Sequence, residues 1–336
     1  MKKKMSLAAV TCALLAAAAG AALAQDVQRG IEHVAGDLYR AQNNQHFTVF
    51  LVTPEGIVVS DPINREFAEW LRGELDRRYE VPVRYVLYSH HHWDHASGGE
   101  VFADTAEFIG HESMAEALQL PPARTPLGEA ARAMDANGNG RVERAEASGN
   151  LQAQFALYDA DGDGALSGAE IARGPVSDVY PARNLFEDRR TVTLGGKSVE
   201  MIHVGPTHSP DMTVLRFPAE RAVFLVDFIS VKRLPFQTLP GYDIDEMTAT
   251  IRAVEALDFD IAVGGHGDIG TKQDVADHRI YLEELRDAVA AGIAEGKSLE
   301  ELQASITMEE YSDWGAYDQW LPLNIEGMHR ILTAEN

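Results

Sequence analysis

Cysteine is almost missing from this chain. Cys12 is the only one in 336 residues, and it falls within the first two dozen. If those residues are removed, no thiol, disulfide or cysteine ligand remains, and any metal would have to rest on histidine and carboxylate. Positive charge is also scarce: 29 Lys and Arg stand against 52 Asp and Glu, a formal net charge of −23 at pH 7. Such a field repels phosphate backbones, which makes nucleic acid a poor partner. Beyond residue 24 no apolar run is long enough to span a bilayer. The one apolar stretch, Leu7 to Ala19, follows Lys2, Lys3 and Lys4 and ends in Ala22-Leu23-Ala24. That layout reads as a signal peptide over 1–24, cleaved before Gln25. It predicts a periplasmic or secreted protein with no membrane attachment after cleavage.

What remains is 45% hydrophobic and 24% charged over the whole chain, ordinary for a protein with a sizeable core. Strand-like and helix-like segments alternate. Phe47 to Val52 and Gly56 to Ser60 are β-rich and flank a Pro54-Glu55-Gly56 turn, which predicts a hairpin. Glu66 to Tyr79 has helical spacing, with Phe67, Trp70, Leu71 and Leu75 on one face. Val81 to Tyr88 reads as a strand. After a composition break from Pro121 to Gly174, strand-like segments return at 191–194, 198–204, 212–217 and 222–226. Asp245 to Leu257 and Lys272 to Ala294 then have helical spacing. The expected organisation is a layered α/β domain in two parts, 25–120 and 175–336, interrupted by an insert over 121–174.

The densest chemistry is Ser89-His90-His91-His92-Trp93-Asp94-His95, directly after a predicted strand. A loop at a strand end lets alternate residues turn towards one point. A chance or tag-like histidine patch fits poorly, since the cluster lies between a strand and Gly98-Gly99. Three more polar residues stand where strands run out: His208 in Gly-Pro-Thr-His-Ser-Pro-Asp, Asp227 after the apolar Ala222 to Val226, and His266 in Gly-Gly-His-Gly.

With these residues the chain resembles the metallo-β-lactamase superfamily, over nearly all of its length except the insert and the leader. The resemblance implies a four-layer αββα sandwich with metals at one edge of the sheets. It implies that His90, His92 and His208 hold one cation, that Asp94, His95 and His266 hold the second, and that Asp227 bridges them. Asp94 and Asp227 are the candidate catalytic carboxylates. The family usually has glycine before the bridging aspartate and this chain has Val226, which bears on where Asp227 points. Imidazole and carboxylate suit zinc, which lowers the pKa of bound water to about 7. Two such ions about 3.5–4 Å apart can share a hydroxide and stabilise a developing oxyanion. The expected activity is hydrolysis of a carbonyl-centred bond in a small molecule: a lactone, a thioester or a β-lactam. The remaining histidines carry less. His91 reads as an outward neighbour, His111 as a non-ligand, and His203 and His278 as packed, hydrogen-bonded residues. His33, His46 and His329 carry no motif. Tyr311, Trp314, Tyr317 and Trp320 suit core packing better than a pocket mouth.

The insert carries two loops with EF-hand spacing. The first offers Asp135, Asn137, Asn139, the Arg141 carbonyl and Glu146, with Gly140 at the sharp turn. The second offers Asp159, Asp161, Asp163, the Ala165 carbonyl and Glu170, with Gly164 at the turn. The sequence therefore predicts two calcium ions beside two zinc-like ions, a second loop at least as tight as the first, and a calcium-stiffened cap shaping substrate access. Asn150 is expected to cap a helix over 151–158. The rival reading is a calcium-responsive binding protein on a vestigial hydrolase fold, which requires a broken ligand set.

Overall fold

The computed structural model describes residues 27–334; the expected leader lies outside the described residues. Strands β1 (Arg29–Ala35), β2 (Leu38–Asn43), β3 (His46–Thr53) and β4 (Gly56–Ser60) form an antiparallel meander. Helix α1 (Arg65–Arg78) then carries the chain over to β5 (Val83–Leu87), which pairs parallel with β4. Asn64 caps α1 by accepting the Phe67 N–H at 2.9 Å, and Phe67, Ala68, Leu71 and Leu75 are its buried face. A short helix α2 (Trp93–Ala96), strand β6 (Glu107–His111) and helix α3 (Glu112–Ala117) follow.

Between α3 and the second half lies a small unit. It contains α4 (Glu129–Met134), β7 (Val142–Glu143), α5 (Gly149–Ala153), α6 (Phe155–Tyr158), β8 (Ala165–Leu166) and α7 (Gly168–Arg173). Strands β7 and β8 pair through Val142 and Leu166, and these side chains join Leu127, Ala131, Ala147 and Phe155 in a core of their own. The helix expected over 151–158 is broken at Gln154, and its N-cap position is Ser148 rather than Asn150.

Strand β9 (Asn184–Phe186) completes a seven-stranded sheet in the order β1-β2-β3-β4-β5-β6-β9. The second sheet runs β10 (Arg189–Leu194), β11 (Lys197–His203), β12 (Thr213–Phe217), β13 (Ala222–Val226), β14 (Ile261–Gly264) and β15 (Ile269–Thr271). Helix α8 (Ile244–Glu255) links β13 to β14, and α9 (Lys272–Ala294), α10 (Leu299–Ser305) and α11 (Tyr317–Ala334) end the chain.

The inner faces of the sheets share one core. Leu38, Val49, Leu51, Val58, Leu87 and Ile109 from the first meet Met201, Val214, Leu215 and Phe224 from the second. Helix α1 covers the outside of the first sheet through Phe67 and Leu71 against Val59 and Val86. Helices α8, α9 and α11 cover the second through Ile251, Leu282 and Ile325. This is the αββα sandwich that the resemblance implied.

Two parallel pairings decide where chemistry can happen. Pairing of β4 with β5, and of β13 with β14, brings four strand carboxyl ends to one edge of the sandwich. Polar residues following parallel strands collect there. Hydrogen bonds from Thr213 N to the Ser89 carbonyl (2.8 Å) and from Phe47 N to the Gly265 carbonyl (2.8 Å) tie the two sheets together at that edge. Across it lies the loop after β13, held on α11. Asn324, fully buried, donates from Nδ2 to the carbonyls of Pro235 (2.9 Å) and Gln237 (2.7 Å) and accepts from the Tyr281 hydroxyl (2.7 Å).

Candidate metal centre

The side chains expected from the sequence arrive from strand ends, a loop and one short helix. Ser89 and His90 follow β5, and His92 stands at the start of α2, which carries Asp94 and His95. His208 comes from the loop between β11 and β12, Asp227 follows β13, and His266 follows β14. These elements bring all seven together. His90, His92, His208 and Asp227 offer ligand atoms within 4.8 Å of one another, and so do Asp94, His95, His266 and Asp227.

Asp227 belongs to both groups, and its two oxygens divide between them. Oδ1 lies 3.0 Å from His95 Nε2 and 3.3 Å from His266 Nε2. Oδ2 lies 3.5 Å from His208 Nε2 and 3.8 Å from His90 Nε2. His208 Nε2 and His92 Nδ1 approach to 3.0 Å. Imidazoles this close, with few protons to share between them, suit a cation at their centre. His90 Nε2 is buried and finds no hydrogen-bond partner, an orphan that metal coordination would satisfy. The donors present fit a pair of divalent ions, one in each group.

Val226 keeps its place at a cost. Its φ is +45°, left-handed backbone that a β-branched residue rarely adopts, and the strain is on the order of 1–3 kcal/mol. The opposing Gly265 makes this possible: a Cβ there would stand 2.8 Å from Asp227 Oδ1 and 2.9 Å from Val226 Cγ2. The valine is fully buried in the shared core, and Asp227 still reaches both groups.

Two residues that the sequence did not mark complete the surroundings. Asp61, at the end of β4 and fully buried, accepts from Ser89 N (2.9 Å) and Ser89 Oγ (2.6 Å). Ser89 Oγ in turn lies 3.0 Å from His90 Nδ1, so Asp61 orients that imidazole through the serine. Burial pushes the Asp61 carboxyl up to about 6, against the opposing pull of His95 and Ser89. A signal for it existed: an apolar strand ending in Ser60-Asp61-Pro62, the same layout as β13 before Asp227. His46 had no such signal. Its Nε2 lies 3.4 Å from Asp94 Oδ2, and its ring sits edge-on to His266 at 4.7 Å. His266 donates from Nδ1 to the Gln45 carbonyl at 2.8 Å, which fixes Nε2 towards Asp227.

The other histidines divide as follows. His91 does not point outward; its Nδ1 pairs with buried Asp211 at 2.8 Å. His111 stacks on His203 at 3.7 Å and belongs to neither ligand group. His278 is buried against the Ser230 backbone, and burial lowers it to about 4. Tyr311 and Trp314 pack on Tyr281 in the core, whereas Trp320 lines a cavity over the centre. That cavity, about 620 Å³, is also bounded by His46, Ser230, Arg233, Phe236, Tyr242 and His278. No residue of 121–174 borders it, so the insert is not the cap that the sequence suggested. The segment that follows the insert is strapped near the centre: Val179 bridges Ser97, and Gly98 N donates to the Asp178 carbonyl (3.0 Å), just beyond His95.

In the insert, Asp135 accepts from Asn139 N and Gly140 N, and Asn137 from Asn139 N, while Glu146 accepts from Ala136, Asn137 and Glu143 amides. In the second loop Asp159, Asp161 and Glu170 present ligand oxygens within 4.8 Å of one another. Asp163 and the Ala165 carbonyl of that loop are engaged by the Arg141 guanidinium, with Arg141 Nη1 2.7 Å from Asp163 Oδ2.

A layered αββα fold with an aspartate shared between two histidine-rich groups narrows the class of protein, and sequence comparison identifies it. The profile of the metallo-beta-lactamase superfamily matches residues 67–266, more than half of the chain. The chain belongs to that superfamily. It is 22% identical over 289 residues to the 2,4-dinitroanisole O-demethylase subunit alpha of Nocardioides sp. (strain JS1661), covering 84% of this chain and 68% of that one. It is 23% identical over 243 residues to a linear primary-alkylsulfatase of Pseudomonas sp. (strain ATCC 19151), covering 70% of this chain and 44% of that one. Among solved structures, the stereoselective inverting sec-alkylsulfatase Pisa1 of Pseudomonas sp. superposes with a TM-score of 0.61 at 15% identity, over 90% of this chain and 50% of that one. A metallo-beta-lactamase from Pontibacter korlensis superposes with a TM-score of 0.53 at 15% identity, over 76% of this chain and 99% of that one. The chain thus spans about half the length of the two alkylsulfatases.

The charge state of the cation-free centre has a measurable consequence. Burial holds His90 well below the usual range and His92 at about 4, so both are neutral and ready to coordinate. Burial would also lower His95, but the Asp227 carboxylate outweighs it and pushes His95 up to about 10. His95 is therefore protonated at neutral pH and must give up that proton to coordinate, so affinity at its group rises with pH up to about 10. Zinc titration of metal-free protein in two buffers of different ionisation heat is expected to show at least one proton released per chain at pH 7. Uptake with no proton release would contradict the assignment.

Proposed function

We propose that this protein is a dinuclear metal-dependent hydrolase of a small molecule. The observation that carries the reading is the division of the Asp227 oxygens between two ligand groups, with His90, His92 and His208 on one side and Asp94, His95 and His266 on the other. Zinc or a similar transition metal suits these donors. A bound pair of cations activates water and offsets negative charge developing on the attacked group. The chain's own residues do the rest. Asp61 and Ser89 orient His90, the Gln45 carbonyl orients His266, and His46 sits against Asp94. The cavity walls of Trp320, Phe236 and Tyr242 exclude water around an apolar substrate portion.

A carbonyl-centred bond, as in a lactone, thioester or β-lactam, suits this centre, because cations held by the two ligand groups would offset the charge of a developing oxyanion. A second reading, an alkyl sulfate ester, is supported by the likeness to two alkylsulfatases over part of their length. The binding-protein rival needs broken ligand groups, and the convergence of all seven side chains favours the enzyme. A panel of lactones, thioesters, β-lactams and alkyl sulfates, assayed on zinc-loaded protein, tests the proposal. Turnover of at least one class, lost on chelation and restored by zinc, is the expected outcome. Inertness of fully loaded protein to every class would contradict it.

The insert adds calcium binding in this proposal, with Asp135, Asn137, Asn139, Arg141 and Glu146 in one loop and Asp159, Asp161, Asp163, Ala165 and Glu170 in the other. Support comes from the loop spacing, the paired β7 and β8, and the cluster of Asp159, Asp161 and Glu170. Export to the periplasm or beyond is part of this reading, and the expected leader over 1–24 is its support. The Arg141 guanidinium holds Asp163 and the Ala165 carbonyl, so calcium at the second loop must displace it. Calorimetric titration of zinc-loaded protein should therefore show two calcium ions per chain, with Arg141→Gln tightening the second-loop site about tenfold. An unchanged second-loop site in that variant would show that Arg141 does not compete.

A further inference from the structure

The cavity above the metal centre contains a positive charge that, among the described residues, no carboxylate pairs with. Arg233 lines it, with its guanidinium 4.5 Å from the centre of the Trp320 ring. Among the described residues, no ion pair or hydrogen bond engages that guanidinium, in a chain where acids outnumber bases 52 to 29. Other basic residues behave otherwise. Lys232, next along the chain, reaches out towards Asp274 at 4.0 Å, and Arg221 pairs with both Asp258 and Asp260. Arg330, which packs on the same loop, donates to the Thr238 carbonyl.

The backbone holds Arg233 in this position. Gly315 N donates to the Lys232 carbonyl (2.8 Å) and Leu234 N to the Gly315 carbonyl (3.0 Å), a bridge that brackets Arg233 on both sides. Leu234 on one side is fully buried and Lys232 on the other is exposed, so the bracket leaves the arginine facing the cavity. Burial lowers the arginine somewhat, and the Asp227 carboxylate is the only charge that opposes this loss. A guanidinium is charged at any working pH and presents a planar fork of donors that matches a carboxylate, sulfonate or sulfate edge. With its face on Trp320, the fork is ordered before any ligand arrives, which lowers the entropy lost on binding.

The wall beside it is of a different kind. Phe236 is 52% exposed, one of only four large hydrophobic residues so exposed among the described residues, and it meets Trp320 edge-on at 5.2 Å. The two rings form an apolar shelf beside the arginine, in the cavity that His92, His208 and His266 also line. An exposed aromatic pair adjoining an unpaired cation suits a ligand with both characters.

Resting on the hydrolase reading given above, we propose that Arg233 anchors a negatively charged oxygen group on the substrate, and that the substrate is an amphiphilic anion whose apolar part lies on Trp320 and Phe236. Arg233 thereby acts as a specificity residue: it selects anionic over neutral esters of the same shape. Arg233→Met keeps much of the side-chain volume over Trp320 while removing the charge and the fork. Arg233→Lys keeps the charge alone.

The test is binding, so that it stands apart from turnover. Zinc-loaded wild-type, Arg233→Met and Arg233→Lys proteins are titrated with decane-1-sulfonate and with the uncharged decyl methyl sulfone, and affinities are read from calorimetry. Zinc content and far-ultraviolet circular dichroism of each variant show that the centre and fold are intact. Wild type is expected to prefer the anion by about tenfold or more, with Arg233→Met reducing that preference to about threefold or less and Arg233→Lys falling between. A preference unchanged in Arg233→Met, or no preference in wild type, overturns the proposal. Should Arg233→Met fail to fold, loss of at least half the preference in Arg233→Lys supports the proposal and full retention overturns it. Inertness to every ester in the substrate panel, with the anion preference still dependent on Arg233, would reject the hydrolase reading and leave this one standing.

Discussion

The structure is organised around one buried carboxylate that faces two ways. Asp227 sits among His90, His208, His95 and His266, with each oxygen turned to a different pair. Burying an ionised carboxylate is costly unless positive charge meets it on every side. Without cations, a protonated His95 supplies part of that charge and holds Asp227 well below its usual range. With cations, the same groups become a coordination set. Stability and function therefore draw on the same few side chains.

The rest of the sandwich serves to deliver them. Parallel pairing of β4 with β5 and of β13 with β14 puts four strand ends at one edge. The strain at Val226 and the missing Cβ at Gly265 are local concessions that let Asp227 approach His95. Functional edges commonly carry such strain, and the fully buried β-sheet core behind this one is rigid enough to sustain it. Above the edge, the loop after β13 is fastened to α11 through Asn324. The cavity wall is thus as much a product of the C-terminal helix as of the sheets.

Much of this was legible in the sequence, for physical reasons. Motif residues at strand ends are readable because strand periodicity stops where the polar residue begins, as at Val86-Leu87 before His90 and at Leu225-Val226 before Asp227. Lys272 to Ala294 was readable as a helix from its spacing alone, and the structure has the same bounds. Helix α11 was not, since Pro322 lies inside it and interrupts the usual helical signal. His46 and Arg233 could not be read at all. Each depends on contacts across the fold, with Asp94 and His266 in one case and with Gly315 and Trp320 in the other. The expectation that the insert caps the active site failed for a similar reason. A break in composition marks where an insert begins, and says nothing about the direction in which it folds away.

The central claim is that Asp227 joins two cation sites into one. Metal analysis of the purified protein, loaded with zinc and freed of excess, tests this when made alongside Asp227→Ala and His266→Ala. The account predicts about two zinc ions per wild-type chain, and about one in each of His266→Ala and Asp227→Ala. Two ions retained without Asp227, or a single ion in wild type under saturating zinc, would contradict it.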